Sequence, residues 1–235
     1  AQAIPEIEKL VNQTISRGGS LFIPSFSVER AQLLMMIVWR LRKVNKIPDI
    51  PMILVSPMGA EVLALFYRNR DWHRLDDDTC YEMCSYFRVV SSFRETIELR
   101  KDKSPKIVIA GSGMLTGGRI LNYLEIHAPE PKNTLLFVGF QADGTRGRKL
   151  LDGEKSYKAY GKWIPFNMQI AIIEGLSAHA DHDELLDWLR ELKKSPDRIF
   201  IVHGETEASE ALKKGIIATF NWTAELPQLY DIVTV

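Results

Sequence analysis

A chain of 235 residues, 46% of them hydrophobic, is long enough to bury a sizeable core as one large domain or as one medium domain with part of another. Lysine plus arginine and aspartate plus glutamate each number 30, so no basic excess advertises a nucleic-acid partner, and a phosphate-binding surface has to be local. With two cysteines, no apolar run near the roughly 20 residues that span a bilayer, and a start, Ala1 to Glu6, that is not basic-then-apolar, these residues point away from a disulfide framework, a membrane span or a signal peptide; the expectation is a soluble, cytoplasmic protein without membrane partners.

In chain order, Ile4, Ile7, Val11 and Ile15 recur at helical spacing and Gly18-Gly19 supplies a stop. Leu21-Phe22-Ile23 reads as a buried strand ending at Pro24. Ser27 is placed to cap a helix whose apolar stripe is Ala31, Leu34, Met35, Val38 and Leu41. Met52 to Val55 is a second strand, followed by a helix from about Ala60 to Tyr67. Residues 71–82 are acidic and poorly periodic, so they read as a variable loop or short helices, with Cys80 and Cys84 on one helical face. Phe87 to Val90, Lys106 to Ala110 and Thr134 to Val138 are further strands.

After about residue 150 the texture changes. Tyr157 to Ile164 and Met168 to Ile173 look like paired strands with a turn near Gly161 and Pro165. A helix capped by Asp181, a strand at 199–202, a helix over about 207–218 and a β-like tail at 230–235 complete the chain. Alternating strands and helices indicate a parallel α/β sheet. The expected division is a main α/β domain at 1–160 and a second piece at 161–235.

Three of these strands run into loops of one chemical character: Pro24 to Arg30, Gly111 to Arg119, and Gly139 to Arg148. Glycine lets backbone N–H groups converge on an anion, and arginine completes such a site with a bidentate fork. Carboxyl-end loops of neighbouring parallel strands lie side by side, so the three are expected to line one cleft. The 111–119 loop fits neither the Walker A nor the dinucleotide-binding pattern. Taken singly, each loop also reads as a structural turn, and Arg30, Arg119 and Arg146 as surface ion-pair partners; the recurrence after three strands is what points to phosphate.

Of five histidines, His73 and His127 lie near loops or helix ends with no polar cluster, and His182 reads as a solvated first-turn residue. His179 sits in the tight turn before the Asp181 helix. There Asp181 as N-cap and Glu184 three residues on form a capping box. His203 ends a strand before Gly204, a position suited equally to a metal ligand and to a structural histidine. No His-x-His or cysteine cluster supplies the further ligands that a zinc site needs.

The ordered series Pro24-Ser25-Phe26-Ser27-Val28-Glu29-Arg30, Gly111-Ser112-Gly113-Met114 with Gly117-Gly118-Arg119, Gly139-Phe140-Gln141-Ala142-Asp143-Gly144-Thr145, Ser177-Ala178-His179-Ala180-Asp181 and Val202-His203-Gly204 resembles the β-CASP family of metallo-β-lactamase-fold ribonucleases. The likeness is to the cleavage-and-polyadenylation endonuclease type, with bacterial members nearest by Leu150-Leu151-Asp152-Gly153. The resemblance implies a parallel-sheet β-CASP domain with helices on both faces, plus the C-terminal portion of a metallo-β-lactamase αββα domain. It implies two zinc ions in the complete enzyme and phosphodiester hydrolysis in RNA. His179 would be the general acid, Asp181 would support it, and His203 would be a zinc ligand. Arg30, Ser112, Gly113, Arg119, Gln141, Arg146 and Ser177 would contact RNA. Histidine at position 203, where the DNA-directed branch carries valine, implies RNA.

The family's His-x-His-x-Asp-His signature precedes the β-CASP insertion and is absent from these residues. The chain therefore reads as a C-terminal part, inactive alone, with the metallo-β-lactamase N-terminal segment as partner and a homodimer possible. The rival reading is a non-catalytic nucleotide- or RNA-binding or scaffold module acting with a partner chain.

Overall fold

A computed structural model describes residues 3–177 and 179–233 of the chain. Contacts divide it into two compact units, a large one running to Ser177 and a small one beyond it.

The large unit is built on a six-stranded, wholly parallel sheet. Its strands are β1 (Leu21–Pro24), β2 (Met52–Val55), β3 (Arg88–Val90), β4 (Ile107–Ala110), β5 (Thr134–Phe137) and β8 (Gln169–Ile172), in the order β3-β2-β4-β1-β5-β8. β1, β2, β4 and β5 are buried on both faces, as short runs rich in Val, Ile and Leu require. Strand alternation sorts the core into two layers. Leu21, Ile23, Leu54, Ile107, Ile109 and Leu136 face α1 (Ala3–Ser16), α2 (Arg30–Lys43) and α4 (Asp77–Tyr86). Phe22, Ile53, Val108, Leu135 and Phe137 face α6 (Ile120–His127), α7 (Arg146–Leu151) and the antiparallel hairpin β6 (Ser156–Ala159)–β7 (Lys162–Pro165). Two further helices, α3 (Pro57–Arg68) and α5 (Phe93–Leu99), follow β2 and β3.

The small unit holds α8 (His182–Arg190), β9 (Ile199–Phe200), α9 (Thr206–Phe220) and β10 (Ala224–Glu225). The two short strands pair in parallel, and Leu186, Leu189, Ile216 and Ala224 form its core.

Three local expectations are corrected. The paired strands after residue 150 are β6 and β7, turning at Tyr160-Gly161, whereas β8 joins the edge of the main sheet beside β5, where Ile170 and Ala171 add to the two cores. Of the two readings of the acidic stretch, loop or short helices, the second holds over Asp77–Tyr86, where Asp76 accepts from the Thr79 N–H and caps α4. The strand at 199–202 is confined to its first two residues. The tail at 230–233 is not a strand; Thr234 and Val235 lie outside the described residues, as do Ala1, Gln2 and Ala178. Among the described residues, no helix is long and apolar enough to cross a membrane.

Candidate phosphate-binding loops and the histidine unit

β1 lies between β4 and β5, pairing in register with both, so the three glycine- and arginine-bearing loops leave the carboxyl edge of the sheet side by side. The Phe26 ring packs on Gly113: a Cβ built there would stand 3.0 Å from two ring carbons. One built on Gly111 would be 3.8 Å from the Ser25 carbonyl. A cleft of about 600 Å³ opens over this edge, walled by Phe26, Ser27, Ser56, Met58, Ser112 and Arg119.

Ser27 does not cap α2. The N-cap position is Glu29, at φ 59°, without a side-chain cap, and the Ser27 hydroxyl instead lies 3.0 Å from that of Ser56. Ser56 in turn accepts from the Gly59 N–H at 2.9 Å and starts α3. Sequence reasoning missed Ser56. Its signal was a serine between a strand and a proline, the cap-then-Pro pattern of a helix start.

Each arginine is tied to protein groups. Arg30 donates through Nη1 to the Val138 carbonyl and so links the start of α2 to the end of β5. Burial lowers its pKa from the ordinary value, which marks an under-solvated cation. Arg119 donates to Thr96 Oγ1 at 2.8 Å and lies over the Phe93 ring, 4.9 Å from its centroid. Arg146 donates through Nη1 to the carbonyls of Leu115 and Thr116, both at 3.0 Å, and through Nε to Lys158 O at 2.8 Å. A guanidinium has five N–H donors, so these contacts hold the forks in place and leave donors over for an anion.

Ser112 is used within its own loop: its hydroxyl accepts from the Gly117 N–H at 3.2 Å. Gly118, at φ 77°, brings its Cα onto the Gly111-Ser112 backbone, so closely that any side chain there would collide with main-chain atoms. Gln141 is only 5% exposed and acts as a strut, its Nε2 lying within 3.1 Å of the carbonyls of Gly113 and Phe140. That amide thus holds the 111–119 and 139–148 loops together. Ser177 closes the large unit and is exposed.

His179, Asp181 and His203 belong to the small unit. The capping box is present as expected: Asp181 Oδ1 accepts from the N–H groups of Asp183 and Glu184, and Glu184 accepts from the Asp181 N–H at 2.9 Å. His179 is exposed in the turn before this cap. His203 is exposed at φ 67°, a left-handed backbone that costs a non-glycine residue roughly 1–2 kcal/mol and so marks a constrained position. His182 packs its Nε2 against Gly215 and its Nδ1 lies 3.0 Å from Asp183. His127 is buried behind the sheet, its Nε2 3.0 Å from Arg100 O. Among the described residues, no three His, Cys, Asp or Glu side chains converge as a metal site, so the residues present do not by themselves fit zinc.

The Beta-Casp domain family matches residues 31–150, and the Zn-dependent metallo-hydrolase RNA specificity domain matches residues 163–227. Among curated proteins, the chain is similar to ribonuclease TTHA0252 of Thermus thermophilus, 33% identical over 220 residues that cover 91% of this chain and 49% of the relative. It is similar also to the transcription termination factor FttA of Methanocaldococcus jannaschii, at 33% identity over 248 aligned positions covering 100% of this chain and 38% of the relative. The FttA of Methanosarcina mazei is 31% identical, with 89% and 35% covered. The chain thus spans half or less of the length of each of these relatives.

Proposed function

The chain belongs to the β-CASP family, and from that premise we propose that it is the RNA-holding and proton-donating part of a zinc-dependent ribonuclease, with the zinc held mainly by residues other than these 235. The observation that carries this reading is the juxtaposition of three glycine- and arginine-bearing loops at the ends of β4, β1 and β5.

In the proposed action, Arg30, Arg119, Arg146 and the backbone around Ser112-Gly113 hold consecutive RNA phosphates. Such contacts fix register and carry little sequence information. His179 gives a proton to the departing ribose oxygen, and the Asp181 cap fixes the turn that carries it. His203 contributes a single ligand to a metal completed elsewhere in the protein. Names among the relatives support the substrate class, one being a ribonuclease and two being transcription termination factors. The action is expected in the cytoplasm, with RNA as partner.

Cleavage of a labelled single-stranded RNA by the full-length protein tests the reading. His179→Ala should lower the rate roughly 10²–10⁴-fold with metal content unchanged, whereas His203→Ala should lower metal content itself. An undiminished rate in the His179 variant removes it as the acid. Tight RNA binding without any cleavage would favour the binding-module alternative.

A further inference from the structure

The outer face of the β6–β7 hairpin carries a combination the phosphate loops do not use. Tyr157, Ala159 and Ile164 point into the core, and alternation turns Lys158 and Trp163 outward, directly opposite each other in the antiparallel register. Trp163 is 67% exposed, and Tyr160 and Lys162 stand exposed beside it at the turn. Residues 146–163 contain six lysines and arginines against two acids, in a chain whose overall charge is zero. Some of that charge is met internally: Arg148 pairs with Asp152 and Asp143, and Lys162 lies 3.9 Å from Glu125. Lys149, Lys155 and Lys158 are exposed. The hairpin is also joined to the loops, because the Arg146 guanidinium spans from Lys158 O to the carbonyls of Leu115 and Thr116.

We propose that this hairpin face is a second RNA-contact surface, continuous with the loop cleft, on which Trp163 stacks a base of a single-stranded segment while Lys158 and Lys162 meet its phosphates. The inference rests on the RNA reading above and extends it to a part of the strand outside the cleft. An indole face offers a planar stacking partner to an unpaired base and is indifferent to its identity, and flanking lysines track the backbone. An acidic peptide would answer the lysines but leave the indole face without a planar partner. A duplex keeps its bases stacked on one another.

Fluorescence polarisation with a labelled 20-nucleotide single-stranded RNA tests this, alongside a labelled glutamate-rich peptide. All three hairpin side chains are exposed, so Trp163→Ala and Lys158→Glu/Lys162→Glu should keep the wild-type unfolding midpoint. Trp163→Ala should weaken RNA binding roughly 5–100-fold, Trp163→Phe should restore most of it, and the double lysine variant should also flatten the salt dependence. If Arg30→Ala weakens binding and the hairpin variants do not, the second surface is refuted and the cleft reading stands. If the hairpin variants weaken binding and Arg30→Ala does not, the hairpin holds and the cleft reading fails. Binding of the peptide but not of RNA overturns both.

Discussion

Replacing Gly147 by alanine sets two effects of opposite sign against each other. Gly147 lies in the first turn of α7, where alanine should stabilise the helix by up to about 1 kcal/mol. The new methyl, however, would fall on Gln141 Oε1, 2.8 Å from Gln141 Cδ and 3.2 Å from a ring carbon of Phe137. Oε1 is the end of a flexible side chain and can move, but only by withdrawing Nε2 from the carbonyls of Gly113, Gly139 and Phe140. Two amide N–H groups serve those carbonyls, so the loss is about two buried hydrogen bonds, or about 1–3 kcal/mol. The net expectation is destabilisation of about 1–2 kcal/mol, read as a lower urea midpoint, and weaker RNA binding as the 111–119 and 139–148 loops lose their strut. In Gln141→Ala the clash is gone, and adding Gly147→Ala there should be neutral or stabilising. A Gly147→Ala protein as stable as wild type, or effects that simply add in the double variant, would refute the strut.

Burial pushes the pKa of His127 down from 6.5 to about 4. The unfolded chain therefore takes up more protons between those values, and stability falls as pH drops through that window, by about 2 kcal/mol at pH 5 relative to neutrality. Equilibrium unfolding at pH 7 and pH 5 should show that slope in wild type and its loss in His127→Phe. Glu29 holds φ 59° without a cap bond, so Glu29→Gly should raise the urea midpoint, with a gain of about 1 kcal/mol. Asp181→Ala removes both N-cap bonds of α8 and should cost the small unit about 1 kcal/mol, seen as faster hydrogen exchange in its first turn.

The sequence made the large sheet legible because its central strands are buried on both faces, and so appear as uninterrupted apolar runs such as Ile107 to Ala110. The three loops were legible because glycine and arginine recur after strands that turn out to be neighbours. What stayed hidden depended on partners distant in sequence. Ser27 meets Ser56 rather than an α2 N–H, Gln141 turns inward to Gly113, and β8 pairs with β5 instead of its sequence neighbour β7. The Asp181 capping box was readable because all its bonds are local, whereas Arg146 could be read as cationic but not as a clasp on Lys158 and Thr116.

The proposed grip on RNA stands or falls on how its affinity responds to salt. Titrating a single-stranded RNA across salt concentrations should give a log–log slope that becomes shallower by roughly 0.7 in Arg30→Ala for each phosphate contact removed, with affinity reduced alike for unrelated sequences. An identical slope in wild type and variant would contradict a phosphate at Arg30, and with it the union of the three loops into one site.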